Sequence, residues 1–507
     1  MTEVPRILYI SDSLGTPIHP RGIFNYSVSL IEVLQRAGAD VTLLVEGAPG
    51  YGFPTTRARK IAKESKTVVD VVRLAELMRY FHDGRFVRWL NLDQKFGSAP
   101  LFGSTLAGLL RRVLGLRQFL GQKLAPKKPV KFRNHRELID FVPSKVAHLA
   151  LPDAFAVGQR FYSSTMYAGA NSFMPVEVDA TGYDAVVIDT PHYVKIKGVP
   201  SSSIVTVIHD LIPLQDPTMS ADWRLLFVKK LEATLANNAI AVFVSETTRE
   251  AFYTYFAHRR SMPNFVVYPL IRSNLMEAAA RTAGAPKVRL DELLSATLTK
   301  TIDRIKATSI AAETTGASTE KSDLGPKAFD WTLPFFVTPT SDEPRKNIGN
   351  LVKAFAQLRG RANLVVVGEV DGNRYLSSIK GADQNIIFTG YVSDIEKNTL
   401  IRHAHGLVFP SFAEGFGIPI AEGGVFEKPV LCSNIPVFRE ITAGHAFLFD
   451  PADSFEIVQA VLDVLADDEA AQGKARLLHE HVLETFSQTQ MLERVKAILK
   501  TAGAPVA

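Results

Sequence analysis

A chain of 507 residues with 46% hydrophobic and 21% charged side chains can bury two or three full cores, which excludes a disordered or fibrous class and points to a globular protein. No run of about 18 apolar residues occurs, and the N-terminus passes almost at once into the strand-like Arg6-Ile7-Leu8-Tyr9-Ile10 rather than a signal sequence, so a cytoplasmic location is expected. The net charge of +5 is uneven: from Trp331 onward there are 16 Lys+Arg against 21 Asp+Glu, which leaves 41 against 31 in residues 1–330.

The chain opens with the strand Arg6–Ile10, a loop Ser11–Arg21 that contains Gly15, and a helix-period segment Ile23–Ala37 headed by Gly22. The strand Val41–Val45 then completes a βαβ start to a parallel sheet. Residues 51–180 exceed what such a connection needs and read as a helical elaboration of the first domain. Between Gln94 and Arg136 there are ten Lys and Arg residues and no acidic one. Leu106, Leu109, Leu110, Val113, Leu114, Leu116, Phe119 and Leu120 interleave with them at near-helical spacing. Two readings of residues 106–133 stay open: an interfacial helix on an anionic membrane surface, or an amphipathic helix packed on its own domain with a solvated basic side. Nucleic acid is not expected as a partner, because aromatic interleaving and reader motifs are absent.

Further apolar runs follow at Ala185–Ile188, Ile204–Ile208, Ala239–Val244 and Phe265–Tyr268, as suits a sheet covered on both faces. Residues 273–330 combine a helix-like piece, Leu290–Ile310, with the polar Ala311–Lys327, and read as an interdomain insertion. The scheme then repeats with Phe335–Val337, Leu364–Gly368, Ile386–Phe388, Leu407–Phe409, Pro429–Leu431 and Ala446–Phe449. The expected class is α/β, with two Rossmann-like doubly wound domains and a cleft between them. Domain one covers 1–272, the linker 273–330 and domain two 331–484, while a helix in 485–507 is expected to return to the first domain. The single cysteine, Cys432, reads as a small apolar strand residue, which leaves disulfide and cysteine–metal chemistry without support.

Two motifs of the second half carry chemistry. Asp342-Glu343-Pro344-Arg345-Lys346-Asn347 follows a strand and precedes the helix-period Ile348–Leu358, which places two cations where a diphosphate could be neutralised. Pro410-Ser411-Phe412-Ala413-Glu414-Gly415-Phe416-Gly417-Ile418-Pro419-Ile420-Ala421-Glu422 sets two glutamates around a Gly-aromatic-Gly turn. Pro419 suits the first position of a helix, so Glu414 is expected on the loop and Glu422 about one turn in. Gly415 and Gly417 let a ligand approach the backbone, and the helix N-terminus offers N–H groups to a phosphate. Carboxylates repel phosphate, so the glutamates are expected to accept from hydroxyls on either side of it.

This stretch resembles the retaining glycosyltransferases of family GT4, whose signature is E-G-F-G-x-P-x-x-E, and the resemblance implies the GT-B fold. It implies that Glu414 contacts the transferred sugar and Glu422 the ribose hydroxyls. The amides of Phe416 and Gly417, beside Ile418, would contact the donor, and Arg345 and Lys346 its diphosphate. The segment matches the E-P-R-K-N variant common among mannosyltransferases and departs from the G-R-x4-K variant, since Ser341 stands where that arginine would be. Val207-Ile208-His209-Asp210-Leu211 matches the family's H-D-L, which places His209 near the reacting carbon; Asp210 is expected to fix the imidazole or to cap the next turn. Gly22-Ile23-Phe24-Asn25-Tyr26-Ser27 resembles G-I-G-R-Y-T with Phe24 and Asn25 in place of a glycine and an arginine. Ser245 in Ser245-Glu246-Thr247-Thr248-Arg249 reads as a helix cap.

The implied activity is a retaining, metal-independent hexosyl transfer. The nucleotide diphospho-sugar, GDP-mannose first among candidates, is the substrate, the acceptor is lipid-linked or a polysaccharide at the inner membrane face, and no cofactor or metal is expected. The absence of any Asp-x-Asp pair agrees. Other donors (rhamnose, glucose, fucose), a silent scaffold homologue and a sugar epimerase are the rivals. Gly423, Gly424 and Glu427 break the usual continuation of the motif, so an altered helix end is expected there.

Overall fold

The computed structural model describes residues 4–15, 22–47, 130–131, 151–159, 161–170, 174–237, 240–271, 330–377, 379, 385–392 and 394–505. The chain divides into two compact units, one of Met1–Leu270 with Gln488–Ala507 and one of Ile271–Ser487. The linker reading of 273–330 and the interfacial-helix reading of 106–133 lie outside the described residues, apart from Asp330 and Val130–Lys131.

The first unit is built on β1 (Arg6–Ile10), β2 (Asp40–Gly47), β3 (Val130–Lys131), β4 (Ala154–Gln159), β5 (Val176–Asp179), β6 (Ala185–Ile188), β7 (Val194–Lys197), β8 (Ile204–Ile208), β9 (Ile240–Phe243) and β10 (Asn264–Val266). Eight of these form one sheet in the order β10-β9-β8-β6-β1-β2-β4-β3, and β5 pairs with β7 apart from it. Within the large sheet all pairs are parallel except β3 with β4. Every residue of β6, β8 and β9 is buried, as their unbroken apolar runs require of strands covered on both faces. The helix Gly22–Arg36 buries Phe24, Tyr26, Val28, Leu30, Ile31, Val33 and Leu34. The helix Gln488–Thr501 belongs to this unit, where Arg36 donates to Gln488 Oε1 at 2.7 Å and Ser203 Oγ to the Ala502 carbonyl at 2.7 Å.

The helical reading of 51–180 needs correction where the structure describes it. Residues 154–179 form β4, the helix Phe161–Ala170 and β5, and β4 extends the main sheet in register with β2 from Thr42 opposite Ala154 to Gly47 opposite Gln159. Asp153 pins its entry by accepting from the Val41 N–H at 2.9 Å and from Gln35 Nε2 at 3.0 Å. Alanine and glycine make Ala154-Phe155-Ala156-Val157-Gly158 a weak strand by propensity; sheet pairing overrides that.

The second unit carries β11 (Phe335–Pro339), β12 (Asn363–Val367), β13 (Ile386–Phe388), β14 (Gly406–Phe409), β15 (Val430–Ser433) and β16 (Phe447–Phe449). The order is β13-β12-β11-β14-β15-β16, all parallel, the doubly wound arrangement whose chain direction across the sheet reverses between β11 and β14. The helices Ile348–Gln357 and Ser454–Ala466 share a core in which Ile348, Leu351, Val352, Phe355, Ile457 and Val461 pack with Phe336, Leu364 and Val366. Each such fully buried side chain contributes about 1.5–3 kcal/mol. Cys432 is buried in β15, and burial pushes its thiol pKa up.

Candidate active site

Ligands of doubly wound sheets bind beyond the carboxyl ends of the strands at the point of reversal, and there the loops after β11 and β14 are joined. A 3-10 turn, Pro344–Lys346, ends on Asn347 in the left-handed conformation with φ 57°. The buried Asn347 amide donates to the Pro410 carbonyl at 2.9 Å and to the Pro451 carbonyl at 2.6 Å, while the Phe412 N–H donates to the Arg345 carbonyl at 2.8 Å. Asparagine meets both demands, tolerance of that backbone and two amide protons on one side chain.

This junction brings three of the sequence-derived residues together. Lys346 Nζ lies 2.5 Å from Glu414 Oε1, and Arg345 Nη1 lies 2.8 Å from Glu414 Oε2 and 3.1 Å from the Ala413 carbonyl. Arg345 Nε also donates to Glu343 Oε2 at 3.0 Å, and Ser341 Oγ to Glu343 Oε1 at 2.8 Å. Burial pushes the Glu414 carboxyl up, but the Lys346 and Arg345 cations outweigh it and hold the group below the usual carboxylate range. Two cations and one carboxylate leave a surplus of one positive charge, to which the more exposed Glu343 is the counterweight. An arriving diphosphate would meet cations already gathered and desolvated.

After Glu414, Gly415 continues the loop and the ring of Phe416 packs edge-on against Phe486 at 5.2 Å, so this aromatic serves the core. Gly417 has φ 116° and caps the helix Ile418–Val425; a Cβ there would meet Phe438 at 2.9 Å. Ile418 is the first helical residue, which puts Pro419 at the second position rather than the first. Glu422 is buried on this helix, and its Oε1 is 2.6 Å from Lys397 Nζ on the helix Asp394–His403. Sequence reasoning missed Lys397: the pair is 25 positions apart and no spacing rule joins them.

The expected altered helix end is overturned. The Glu427 N–H bonds to the Gly424 carbonyl at 3.0 Å and the Lys428 N–H to the Gly423 carbonyl at 3.1 Å, with Glu427 at φ 52°. That is an ordinary Schellman end with glutamate in the place where glycine is customary. Gly423 and Gly424 are there for contact: added Cβ atoms would lie 3.0 Å from Val430 and 2.8 Å from Val482. His479 Nδ1 lies 2.9 Å from the Gly424 carbonyl, and its Nε2 lies 3.7 Å from Glu427 Oε1.

In the first unit the strand order reverses between β1 and β6, and a second cluster sits there. Gly15 ends the short helix Asp12–Gly15 and Gly22 begins the helix Gly22–Arg36. His209 follows β8. Its Nε2 is 2.9 Å from the Asp189 carbonyl oxygen and 3.2 Å from Asp189 Oδ1, and Tyr26 stands edge-on to it at 5.0 Å. The alternative for Asp210 resolves toward the cap, since its Oδ1 accepts from the Ile212 N–H at 3.0 Å and the imidazole is held by Asp189 instead. Asp189, fully buried and immediately after β6, also takes Ser11 Oγ at 2.9 Å and Ser27 Oγ on Oδ2. Burial, then the Asp189 charge, pushes the Tyr26 hydroxyl pKa well up. Ser245 caps the helix Glu246–Tyr255 by accepting from the Thr248 N–H at 3.0 Å.

Residues 324–476 match the family model described as Glycosyl transferases group 1. The chain carries a group 1 glycosyl transferase domain. Within that domain lie Arg345, Lys346, Lys397, Glu414 and Glu422, so the assembled cluster and the family match coincide. Among curated relatives, O-antigen chain mannosyltransferase B of Escherichia coli is 36% identical over 134 residues, 25% of this chain and 35% of its own length. O-antigen chain mannosyltransferase RfbU of Salmonella typhimurium is 31% identical over 137 residues, 26% of this chain and 38% of its own length. The chain thus matches little more than a third of the length of these two relatives. The structure of Anabaena HepE in complex with UDP and glucose aligns with a TM-score of 0.50, covering 98% of this chain and all of that one at 15% identity. That likeness concerns the fold, two Rossmann-like domains of the GT-B glycosyltransferases. Among the described residues no helix is long and apolar enough to cross a membrane.

Proposed function

We propose that the protein is a retaining, metal-independent glycosyltransferase that moves mannose from GDP-mannose to a lipid-linked or polysaccharide acceptor in cell-surface glycan synthesis. The observation that carries this reading is the convergence of Arg345 and Lys346 on Glu414 beside the N-terminus of the helix Ile418–Val425. As the bond from sugar to diphosphate breaks, negative charge grows on the departing nucleoside diphosphate. Arg345, Lys346 and the amides of Gly415, Phe416 and Gly417 with Ile418 stabilise that charge. Two fixed cations can do the neutralising otherwise left to a divalent ion, so the proposal includes no cofactor.

In this reading Glu414, already held between the two cations, orients the transferred sugar, and Glu422, turned by Lys397, accepts from the ribose hydroxyls. His209 of the first unit hydrogen-bonds sugar or acceptor, and Gly15 and Gly22, at the end of one helix and the start of the next, carry no side chain of their own to hinder a ligand's approach. Mannose and the cell-surface setting come from the names of the mannosyltransferase relatives. Attachment to the inner membrane face through residues 106–133 rests on their sequence alone.

Thermal-shift titration with GDP, UDP and dTDP, followed by product analysis with labelled GDP-mannose and a membrane lipid extract, tests the reading. The expected result is selective stabilisation by GDP and labelled lipid or glycan. Selective stabilisation by UDP or dTDP would replace the donor. No response to any nucleotide would overturn the reading in favour of a silent scaffold, and release of free sugar without an acceptor would favour an epimerase.

A further inference from the structure

The geometry points to Asp189 as a positioning residue that fixes the orientation and tautomer of His209, so that the imidazole offers Nδ1 to a sugar hydroxyl. The two groups within reach of His209 Nε2 are the Asp189 carbonyl oxygen at 2.9 Å and Asp189 Oδ1 at 3.2 Å. Both are acceptors, so Nε2 must carry the proton. In the neutral ring Nδ1 is then a bare lone pair, and the side chain keeps 10% of its surface exposed. A ring held this way accepts a hydrogen bond from a hydroxyl; the opposite tautomer would offer a donor in the same place.

The two oxygens of Asp189 have separate tasks. Oδ2 takes Ser11 Oγ at 2.9 Å and Ser27 Oγ, and Ser13 Oγ links those hydroxyls at 2.8 and 2.9 Å. Ser27 also lies 2.9 Å from the Ile23 carbonyl, but its closer acceptor is Asp189. The backbone is fixed as well, since the Asp189 N–H donates to the Ile10 carbonyl at 2.9 Å. Oδ1 is thereby left to the imidazole, with the carboxylate unable to rotate away. Ser11 follows β1, Ser13 lies on the short helix Asp12–Gly15 and Ser27 on the helix Gly22–Arg36, so the G-I-F-N-Y-S stretch contributes to holding Asp189 against His209.

The kinetic arm of the test rests on the transferase reading; the spectroscopic arm does not. Asp189→Asn replaces one acceptor oxygen with a donor while keeping the shape. In ¹⁵N-histidine spectra, with His209 assigned from its loss in His209→Gln, the wild type should show the Nε2–H tautomer and D189N should show a population with the proton on Nδ1. D189N should lower kcat about 10–100-fold, the range that outer-shell partners orienting metal-ligating histidines set for a comparable role, with little change in KM for the donor. In a His209→Ala background it should cost nothing more. If D189N does not fold, Ser27→Ala, which loosens Asp189 but retains it, should move the same tautomer signal and kcat by a smaller factor. An unchanged His209 tautomer, or losses that multiply in the double variant, would overturn the inference. A chain that transfers no sugar but whose tautomer responds to Asp189 would sink the transferase reading and leave this one standing.

Discussion

Each unit of this protein holds an acid just beyond the point where its sheet reverses direction, Glu414 partly buried in the second and Asp189 fully buried in the first, and the two acids are satisfied by different means. Glu414 in the second unit faces two cations from the loop after β11, with Lys346 at 2.5 Å and Arg345 at 2.8 Å. Asp189 in the first unit faces hydroxyls and an imidazole. Ion pairs are weakly directional and can be shared with an arriving anion, whereas a cage of hydroxyl and imidazole donors aimed at one carboxylate fixes one orientation through charge-assisted hydrogen bonds. The same crevice of a doubly wound sheet is thus wired for charge in one unit and for orientation in the other.

The largest expected effect tests the charged side. Glu414→Ala should lower transfer by a factor on the order of 10²–10³, the cost of losing one well-placed polar group at a reacting centre, and should leave nucleotide binding intact or tighter because both cations are released. Single-turnover transfer and nucleotide thermal shift read the two separately. Unchanged transfer would remove Glu414 from the sugar and reduce the cluster to a structural ion pair.

Next comes Lys397. Its pairing with Glu422 is largely buried, with side-chain exposures of 19% and 6%, and removing one member of such a pair typically costs about 3–5 kcal/mol because the other charge is stranded. Lys397→Met should therefore lower the unfolding free energy by roughly that much, and adding Glu422→Gln should recover most of it. A denaturant titration decides; a full loss in the double variant would mean that packing, and not charge, is what Lys397 supplies.

Acid should separate the two units. Burial, opposed in part by Asp12, pushes the His192 pKa from 6.5 to about 4. A folded pKa below the unfolded one means the unfolded chain binds the proton first, so stability is lost as pH falls from about 6.5 toward 4. Glu414 has the same sign but starts as a carboxylate: its contribution is present above the ordinary carboxylate range and is lost only as pH falls through its depressed value. Hydrogen exchange should show amides near His192 losing protection at a higher pH than those of the helix Ile418–Val425. The reverse order would contradict the assignment of cation pairing to one unit and of hydroxyl and imidazole donors to the other.

Much of the second unit was legible because short β-branched apolar runs such as Leu364–Val367, repeated between helix-period segments, suit buried parallel strands, and because Glu414, Lys346 and Arg345 lie in two short local motifs. The first unit was less so. β7, Val194-Lys195-Ile196-Lys197, alternates buried and exposed over four residues, too short a period to read. Asp189 sits in Asp189-Thr190-Pro191-His192, where no spacing rule ties it to His209, Ser11 or Ser27, since a cage closed by sheet order leaves no mark in the linear sequence. Lys397 escaped for the same reason. Glu427 was misread because a single-residue preference for glycine was allowed to outweigh the backbone bonds that a helix end makes with any residue.

That last point can be measured. A non-glycine residue held in the left-handed region costs roughly 1–2 kcal/mol, and Glu427 is held there by the Schellman bonds from its own N–H and that of Lys428. Glu427→Gly should then raise the unfolding free energy by about 1 kcal/mol, the relief of that strain less the added freedom of glycine in the unfolded chain. Glu427→Ala is the control, because it removes the carboxylate near His479 and keeps the strain, so it should be no more stable than the wild type. Were alanine to stabilise as much as glycine, the carboxylate and not the backbone would be the unfavourable element. Gly423 and Gly424 would then hold the helix in place through Val430 and Val482 without help from its C-terminal turn.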